Sequence, residues 1–394
     1  MMSPTSIPAR FAGLYAAQFL YLGVQLPFLT ALLAIAGLGA ASIGAVTAAA
    51  LVARLVVGPP LAAFADASGR QRRVQIGLGA MVTLGAAMVG AGAFLPLGLA
   101  APLIAGVGAL IAHAAFGIVI PMTDAAAMEQ VSAGRLNYGR ARSIGSAAFI
   151  LANLGGGLAI ARTGYPVAAI WLVVTGGAIA LAAAALPKRD RSAAYGGSFA
   201  AARELARDKR FLLLVLAAGA GQASHATYYA FSILHWTSLG YSAFTIGALW
   251  ATGVIAEIVM LANGKRLLAR FSPAALIAVG GMAGLFRWVM TGGEPPLAIL
   301  FALQLLHAGT FATTHLGSVE AAGRLAPEAR ATAMTVISTF GVGALTGLAT
   351  LIAGGLYEGV DPQAAYLLCA GCSALAAAAA LVLRGMTVGE LRLK

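Results

Sequence analysis

Three ionisable side chains stand inside long apolar runs. Glu257 lies between Ile255 and Met260, Arg287 among Leu285, Phe286 and Trp288, and Arg54 between Ala53 and Leu55. A charge at the centre of a bilayer costs about 2.5 to 3.5 kcal/mol on the most lenient scale, so such residues mark binding or proton-handling sites by default. A carboxyl such as Glu257 can take up and release a proton; the bland alternative is permanent pairing with an arginine. Arg287 and Arg54 stay charged at any relevant pH and need an anion. For Arg287 that anion is Glu257 on the neighbouring run or a substrate carboxylate, which a planar guanidinium grips with two hydrogen bonds. Its alternative is snorkelling toward the surface near Thr291. Arg54 either attracts an anionic substrate or neutralises Asp124 or another buried acid.

Polar and aromatic residues add to this set. His307 and Thr310 are three residues apart and share a helix face, with Phe311 beside them. His307 is therefore the second candidate for proton handling, and Thr310 a candidate substrate contact. His315, another candidate contact, lies two turns on and about 80° round the helix. His113, His225 and His235 read as hydrogen-bonded packing residues. Tyr228, Tyr229, Phe231, Trp236 and Trp250 read mainly as packing or interface anchors, with Tyr229 and Trp250 placed to stack on a flat substrate. Asp124 and Glu129 point about 140° apart on a helix and cannot form one acidic pair; Asp124 is expected to face Arg142, and Glu129 to sit at the cytoplasmic end. No His-x-x-x-His pair or carboxylate cluster forms a metal site, and no cofactor is implied. Cys369-x-x-Cys372 lies in an Ala/Leu-rich run and reads as packing.

The chain that carries these residues is built for lipid. Of its 394 residues 60% are hydrophobic. Only 10% are charged, against about 25% in ordinary soluble proteins. The mean hydropathy is +0.89, with Gly 50 and Pro 15. Those values exclude a soluble fold, a coiled coil and a disordered tail. A net charge of +12 would suit a nucleic-acid partner on one basic surface, but the basic residues are spread over short connectors, so none is implied. At about 20 apolar residues per crossing, the chain divides into twelve spans near 11–37, 43–65, 74–94, 97–129, 141–161, 166–186, 211–238, 244–262, 274–291, 296–322, 331–356 and 364–383. Runs such as Leu212 to Gly221 do not alternate as barrel strands do. The first run is far longer than a secretory signal and is read as an uncleaved span.

The basic residues also orient the chain. With a cytoplasmic N-terminus, the opposite connectors keep only Arg162, and Arg54 and Arg287 remain inside spans. That asymmetry places both termini in the cytoplasm of a cell inner (plasma) membrane. The stretch Pro187 to Arg210 carries Lys188, Arg189, Arg191, Arg203, Arg207, Lys209 and Arg210 near the midpoint. It divides the chain into an N-terminal six-helix bundle (1–186), a linker (187–210) and a C-terminal bundle (211–394). Ala133-Gly134-Arg135-Leu136 after span four recurs as Ala322-Gly323-Arg324-Leu325 after span ten. Two such pseudo-symmetric halves place a substrate site at mid-membrane.

The connector from Gly58 to Arg73 resembles the Asp-x-x-Gly-Arg-x-Arg/Lys loop of the major facilitator superfamily, with Asp66, Gly69, Arg70 and Arg73 matching and the usual earlier Gly shifted or replaced. A second set runs from Tyr229 to Glu320: Leu234-His235-Trp236, Gly240-Tyr241-Ser242, Gly247-x-Leu249-Trp250, Gly253-Val254-x-Ala256-Glu257, Phe286-Arg287-Trp288 and Leu306-His307-x-Gly309-Thr310-Phe311. It resembles the phenylpropionate permease branch, whose relatives include oligosaccharide:proton and nucleoside:proton symporters. Pro121-x-x-Asp124, Glu129 and Tyr138-Gly139-Arg140-Ala141-Arg142-Ser143-x-Gly145 are similar to lactose permease, which implies substrate binding by Asp124 and Arg142. The likeness stops at the proton machinery. Span ten has Gln304-x-x-His307-x-x-Thr310 where lactose permease has Lys-x-x-His-x-x-Glu, and the acid of span eight is displaced by about a turn from Glu257. No Pro stands between Ser146 and Gly157, where drug/proton antiporters carry Gly-Pro, which favours uptake.

The expectation is an all-α integral membrane protein of twelve transmembrane helices with the major facilitator fold. It would be a monomeric, proton-coupled symporter importing a small organic anion, best an aromatic carboxylate. Arg142, Arg54 or Arg287 would hold the carboxylate, Glu257 with His307 would carry the proton, and Asp66 to Arg73 would latch one closed state. The alternative is symport of a neutral sugar or nucleoside. A membrane enzyme is not expected, because no nucleophile–base pair or phosphate loop is present.

Overall fold

A computed structural model describes residues 6–187 and 199–392, so the part of the expected linker from 188 to 198, with Lys188, Arg189 and Arg191, lies outside the described residues. Every regular element among the described residues is helical. The first six spans are α1 (Ile7–Ile35), α2 (Ala40–Ser68), α3 (Gln71–Phe94), α4 (Ala101–Ser132), α5 (Tyr138–Thr163) and α6 (Pro166–Ala184). A short α7 (Phe199–Leu205) precedes α8 (Lys209–Ala223) and α9 (Ala226–Ser238). Then come α10 (Ala243–Ala262), a short α11 (Gly264–Arg270) and α12 (Pro273–Gly292). Span ten joins α13 (Leu297–His307), a π-helical segment Ala308–Ala312 and α14 (Thr313–Leu325). Span eleven joins α15 (Arg330–Val336), a π-helical segment Ile337–Ala344 and α16 (Leu345–Gly359); α17 (Pro362–Arg392) is last.

Eleven of these runs are long and apolar enough to cross a bilayer. The twelfth is span seven, expected to be continuous and found broken between α8 and α9 at Ser224 and His225. Gly219 and Gly221 weaken the helix before the break. The Ser224 hydroxyl then folds back onto the Gly221 carbonyl at 2.7 Å, a local bond that competes with helix continuation. Beyond it Thr227 turns to α17: its N–H donates to Cys369 Sγ at 3.4 Å and its hydroxyl to the Ala365 carbonyl at 2.7 Å.

The chain packs as two compact units, Met1–Tyr195 with Ser232–Ala251, and Gly196–Phe231 with Thr252–Lys394. In the first, α1 packs on α5 and α6, and α3 on α4 and α6. Helices approach closely in lipid where residues are small: a Cβ on Gly85 of α3 would stand 2.7 Å from the Ala112 nitrogen of α4. In the second unit α12 and α17 pack together the same way, through Gly281, and Phe211, Leu214, Ile277 and Leu383 fill a core between α8, α12 and α17.

Two connectors are specified locally. At the end of α2, Gly69 takes φ 65°, a left-handed cap that glycine adopts without strain. There Asp66 accepts a hydrogen bond from Gln71, while Arg70 and Arg73 of the expected latch are exposed. Asp208 caps α8, accepting from the Arg210 N–H at 2.8 Å and from its guanidinium at 3.1 Å.

Candidate functional site

The second unit places its polar residues around Arg287. This arginine is 0% exposed, which rules out snorkelling. Its Nη1 donates to His307 Nδ1 at 3.2 Å and to Thr310 Oγ1 at 3.1 Å, and its Nη2 to Gln304 Oε1 at 2.8 Å. The guanidinium also lies over the Tyr228 ring, 5.0 Å from its centroid. Among the described residues none of its hydrogen bonds goes to a carboxylate, contrary to the expected pairing with Glu257. The reason is reach: His307 stands between the two charges, its Nε2 3.4 Å from Glu257 Oε2. Arginine only donates, so Nδ1 of His307 accepts and its N–H is on Nε2, facing the carboxylate. The order is therefore Arg287, His307, Glu257, with Glu257 the most open member at 20% side-chain exposure.

Thr310 extends this order to His225, whose Nε2 lies 3.0 Å from Thr310 Oγ1. His225 sits at the break in span seven and stacks on the half-buried Tyr229, ring centroids 5.4 Å apart. Span ten also differs from expectation in register. Its π-helical segment adds room for an extra residue in one turn, and His307, Phe311 and His315 consequently stack in one column, at 5.4 Å and 6.1 Å between ring centroids. A regular helix would carry His315 about 80° away from His307. His315 is the exposed end of this column.

The first unit holds a different cluster. Asp124 Oδ1 accepts from the Tyr15 hydroxyl at 2.6 Å and the Tyr138 hydroxyl at 3.2 Å. The half-buried Arg142 guanidinium stacks on Phe19, 4.2 Å from its centroid, and reaches the Tyr15 ring at 5.7 Å. Asp124 and Arg142 thus share one cluster, as expected, but tyrosines bridge them. Among the described residues no carboxylate pairs with Arg142.

Arg54 does not reach Asp124; its side chain crosses α4 at Gly117, near His113. Trp250 is 2% exposed, and enclosed rather than open. Gln304, Tyr15 and Tyr138 are polar members of the two clusters to which the sequence alone gave no role, and His225, read there as packing, is a fourth. Their signal is a polar group in an apolar run, which many packing residues share.

A family model described as "MFS_1 like family" matches residues 9–368. A curated relative from Escherichia coli (strain K12), described as a probable 3-phenylpropionic acid transporter, is 29% identical over 251 residues. The match covers 62% of this chain and spans 65% of that relative's length. The maltose permease of Geobacillus stearothermophilus is 25% identical over 277 residues, 69% of this chain and 70% of its own. Among solved structures, the nucleoside transporter NupG aligns with TM-score 0.74 at 17% identity, covering 96% of this chain and 98% of its own. A D-xylose-proton symporter aligns with TM-score 0.65 at 13% identity, covering 94% and 95%. The structural likenesses establish a major facilitator fold.

Proposed function

This chain belongs to the MFS_1 like family and is a multi-pass membrane transporter rather than an enzyme, and we propose that it is a proton-coupled symporter importing a small organic anion. The substrate class is an aromatic monocarboxylate, in keeping with the name of the Escherichia coli relative. The observation that carries this reading is the state of Arg142: stacked on two rings, bonded to the Tyr138 hydroxyl, paired with no carboxylate among the described residues, and left with donors of the kind that grip one. Tyr15 and Tyr138 hold Asp124 off those donors. Arg287 is not the substrate's cation, since its terminal nitrogens are engaged by Gln304, Thr310 and His307.

Glu257 carries the coupling proton. The His307 N–H points at its carboxylate and stabilises the ionised form; protonation removes the charge whose movement through lipid is costly. His307 steers rather than carries, because a second proton on Nδ1 would face the Arg287 cation. Thr310, Tyr229 and His315 line the approach, Asp66 to Arg73 brace one closed state, and the protein works as a monomer in the inner membrane with both termini cytoplasmic. A second reading, symport of a neutral sugar or nucleoside, is favoured by the Asp124, Tyr15 and Tyr138 group, which suits hydroxyls as well as carboxylates.

Proteoliposomes under an imposed pH gradient test the assignment. Glu257→Gln should keep 3-phenylpropionate exchange and lose pH-driven accumulation; undiminished accumulation by that variant rejects Glu257 as the proton carrier. The methyl ester should not compete for uptake, and effective competition by it would favour the neutral-substrate reading.

A further inference from the structure

Arg142 leaves the other membrane-embedded arginine of the first unit without a task. Arg54 projects from α2 across the backbone of α4 at Gly117, where the missing side chain makes room for it: its Cγ and Nε stand 3.2 and 3.4 Å from the position a Cβ would take, and its Cδ is nearer still. His113, one turn earlier on α4, lies within electrostatic range of Arg54. His113 Nδ1 is 3.2 Å from Nε2 of Gln25 on α1, a glutamine only 3% exposed. With the Gln25 amide donating, His113 Nδ1 accepts and its N–H is on Nε2, a second donor in the same cluster as the guanidinium. Among the described residues no hydrogen bond or ion pair neutralises Arg54. An uncompensated guanidinium in an apolar run is costly, and the groups gathered around it from two helices, Gln25 of α1 and His113 of α4, bring no negative charge.

The position of this cluster relative to Arg142 follows from helix geometry. Along α1 Gln25 lies six residues beyond Phe19, and along α4 Asp124 lies seven beyond Gly117. At about 1.5 Å per residue the two clusters are roughly 10 Å apart along the helix axes, the length of one small extended molecule.

We infer that Arg54, with His113 and Gln25 around the Gly117 bed, is a second anion subsite that takes a carboxylate or similar acceptor at the far end of a substrate whose first carboxylate sits on Arg142. The inference rests on the reading of Arg142 above and narrows the substrate to elongated acids with an acceptor at each end. Arg54 reads the distal group, and Gly117 keeps the space that lets it do so.

The test compares the dissociation constants of 3-phenylpropionate and 3-(4-carboxyphenyl)propionate on the purified protein by calorimetry. The wild type should bind the two-ended acid about tenfold more tightly, the scale of one added charge-assisted contact. Arg54→Gln should collapse that ratio to about one, and Gly117→Ala should do the same while keeping the charge, because its Cβ displaces the Arg54 side chain. Equal affinity for the two acids in the wild type, or a ratio that survives both variants, overturns the subsite. Arg142→Gln separates this from the underlying reading: a variant that still binds both acids as the wild type does refutes Arg142 as the primary cation, whatever Arg54 does. Should Arg54→Gln fail to fold, Gly117→Ala decides.

Discussion

Arg142 and Arg287 are both held by uncharged neighbours, yet their situations are opposite. Arg142 lies over Phe19 and Tyr15, shares a hydrogen bond with Tyr138, and among the described residues has no carboxylate on its remaining donors. Arg287 is enclosed and tied to Gln304, Thr310 and His307. Stacking satisfies a guanidinium through its face and leaves most of its donors unspent, whereas lacing by acceptors spends them on fixing neighbours. An arginine in a membrane protein is thus better judged by the donors it has left than by its burial. In this chain the first residue is placed to receive a ligand, and the second to hold a histidine in one tautomer.

The largest effect that would break this contrast comes from removing each cation in turn. Arg142→Gln should lower 3-phenylpropionate uptake by more than about 100-fold, since losing one partner of a desolvated charge pair costs about 2 to 5 kcal/mol, yet leave the melting temperature of the purified protein unchanged. Arg287→Gln should do the reverse first, lowering the melting temperature, because Gln304, Thr310 and His307 lose a partner in a dry core. If Arg142→Gln melts early and Arg287→Gln does not, the two assignments are exchanged.

A smaller effect sharpens the Arg287 side. His225→Phe keeps the ring packing against Tyr229 and Phe311 but removes the contact to Thr310. Thr310 then frees Arg287 to drift from His307, and pH-driven accumulation should fall about tenfold, the equivalent of one buried hydrogen bond. Its pH profile should shift while exchange persists; an unmoved profile would limit His225 to packing.

The smallest effect comes from an arginine in water. Burial pushes the Asp208 carboxyl up, but hydrogen bonds from the Arg210 side chain and backbone outweigh it and hold the group below the usual carboxylate range. Its folded form is favoured at neutral pH, and that contribution is lost as pH falls through the lowered value. Asp208→Ala removes this cap of α8 and should cost about 1 kcal/mol of stability, with transport kept. Comparable damage to transport would mean that the cytoplasmic end of α8 matters as much as the buried arginines.

How far the sequence could be read depended on where each partner lies in the chain. Spans follow from local hydropathy, and eleven of the twelve are continuous runs near the expected places. The break in span seven has a local element in Gly219, Gly221 and Ser224, but it is fixed by Cys369 and Ala365, 142 and 138 residues from Thr227, which no local pattern announces. Glu257 and His307 stood out because charge and imidazole are costly in apolar runs. The sequence offered both as proton handlers and gave Glu257 to Arg287 as its neighbour; that His307 would stand between those two was not legible, because it depends on how α10, α12 and span ten turn toward each other. Tyr15, 109 residues from Asp124, bridges a pair that looked from the sequence like a direct ion pair. Arg54 was sought among acids and found beside a glycine, since side-chain space is a tertiary quantity.

The wide turn Ala308–Ala312 has an evolutionary consequence. Because it accommodates one surplus residue, loss of a single codon there would restore ordinary periodicity at little thermodynamic expense. The two histidines would then stand seven residues apart, within about 20° of one helix face, so His315 would stay in line with His307. A lineage could in this way shed the surplus residue in a single genetic event and keep both ends of the column on one face.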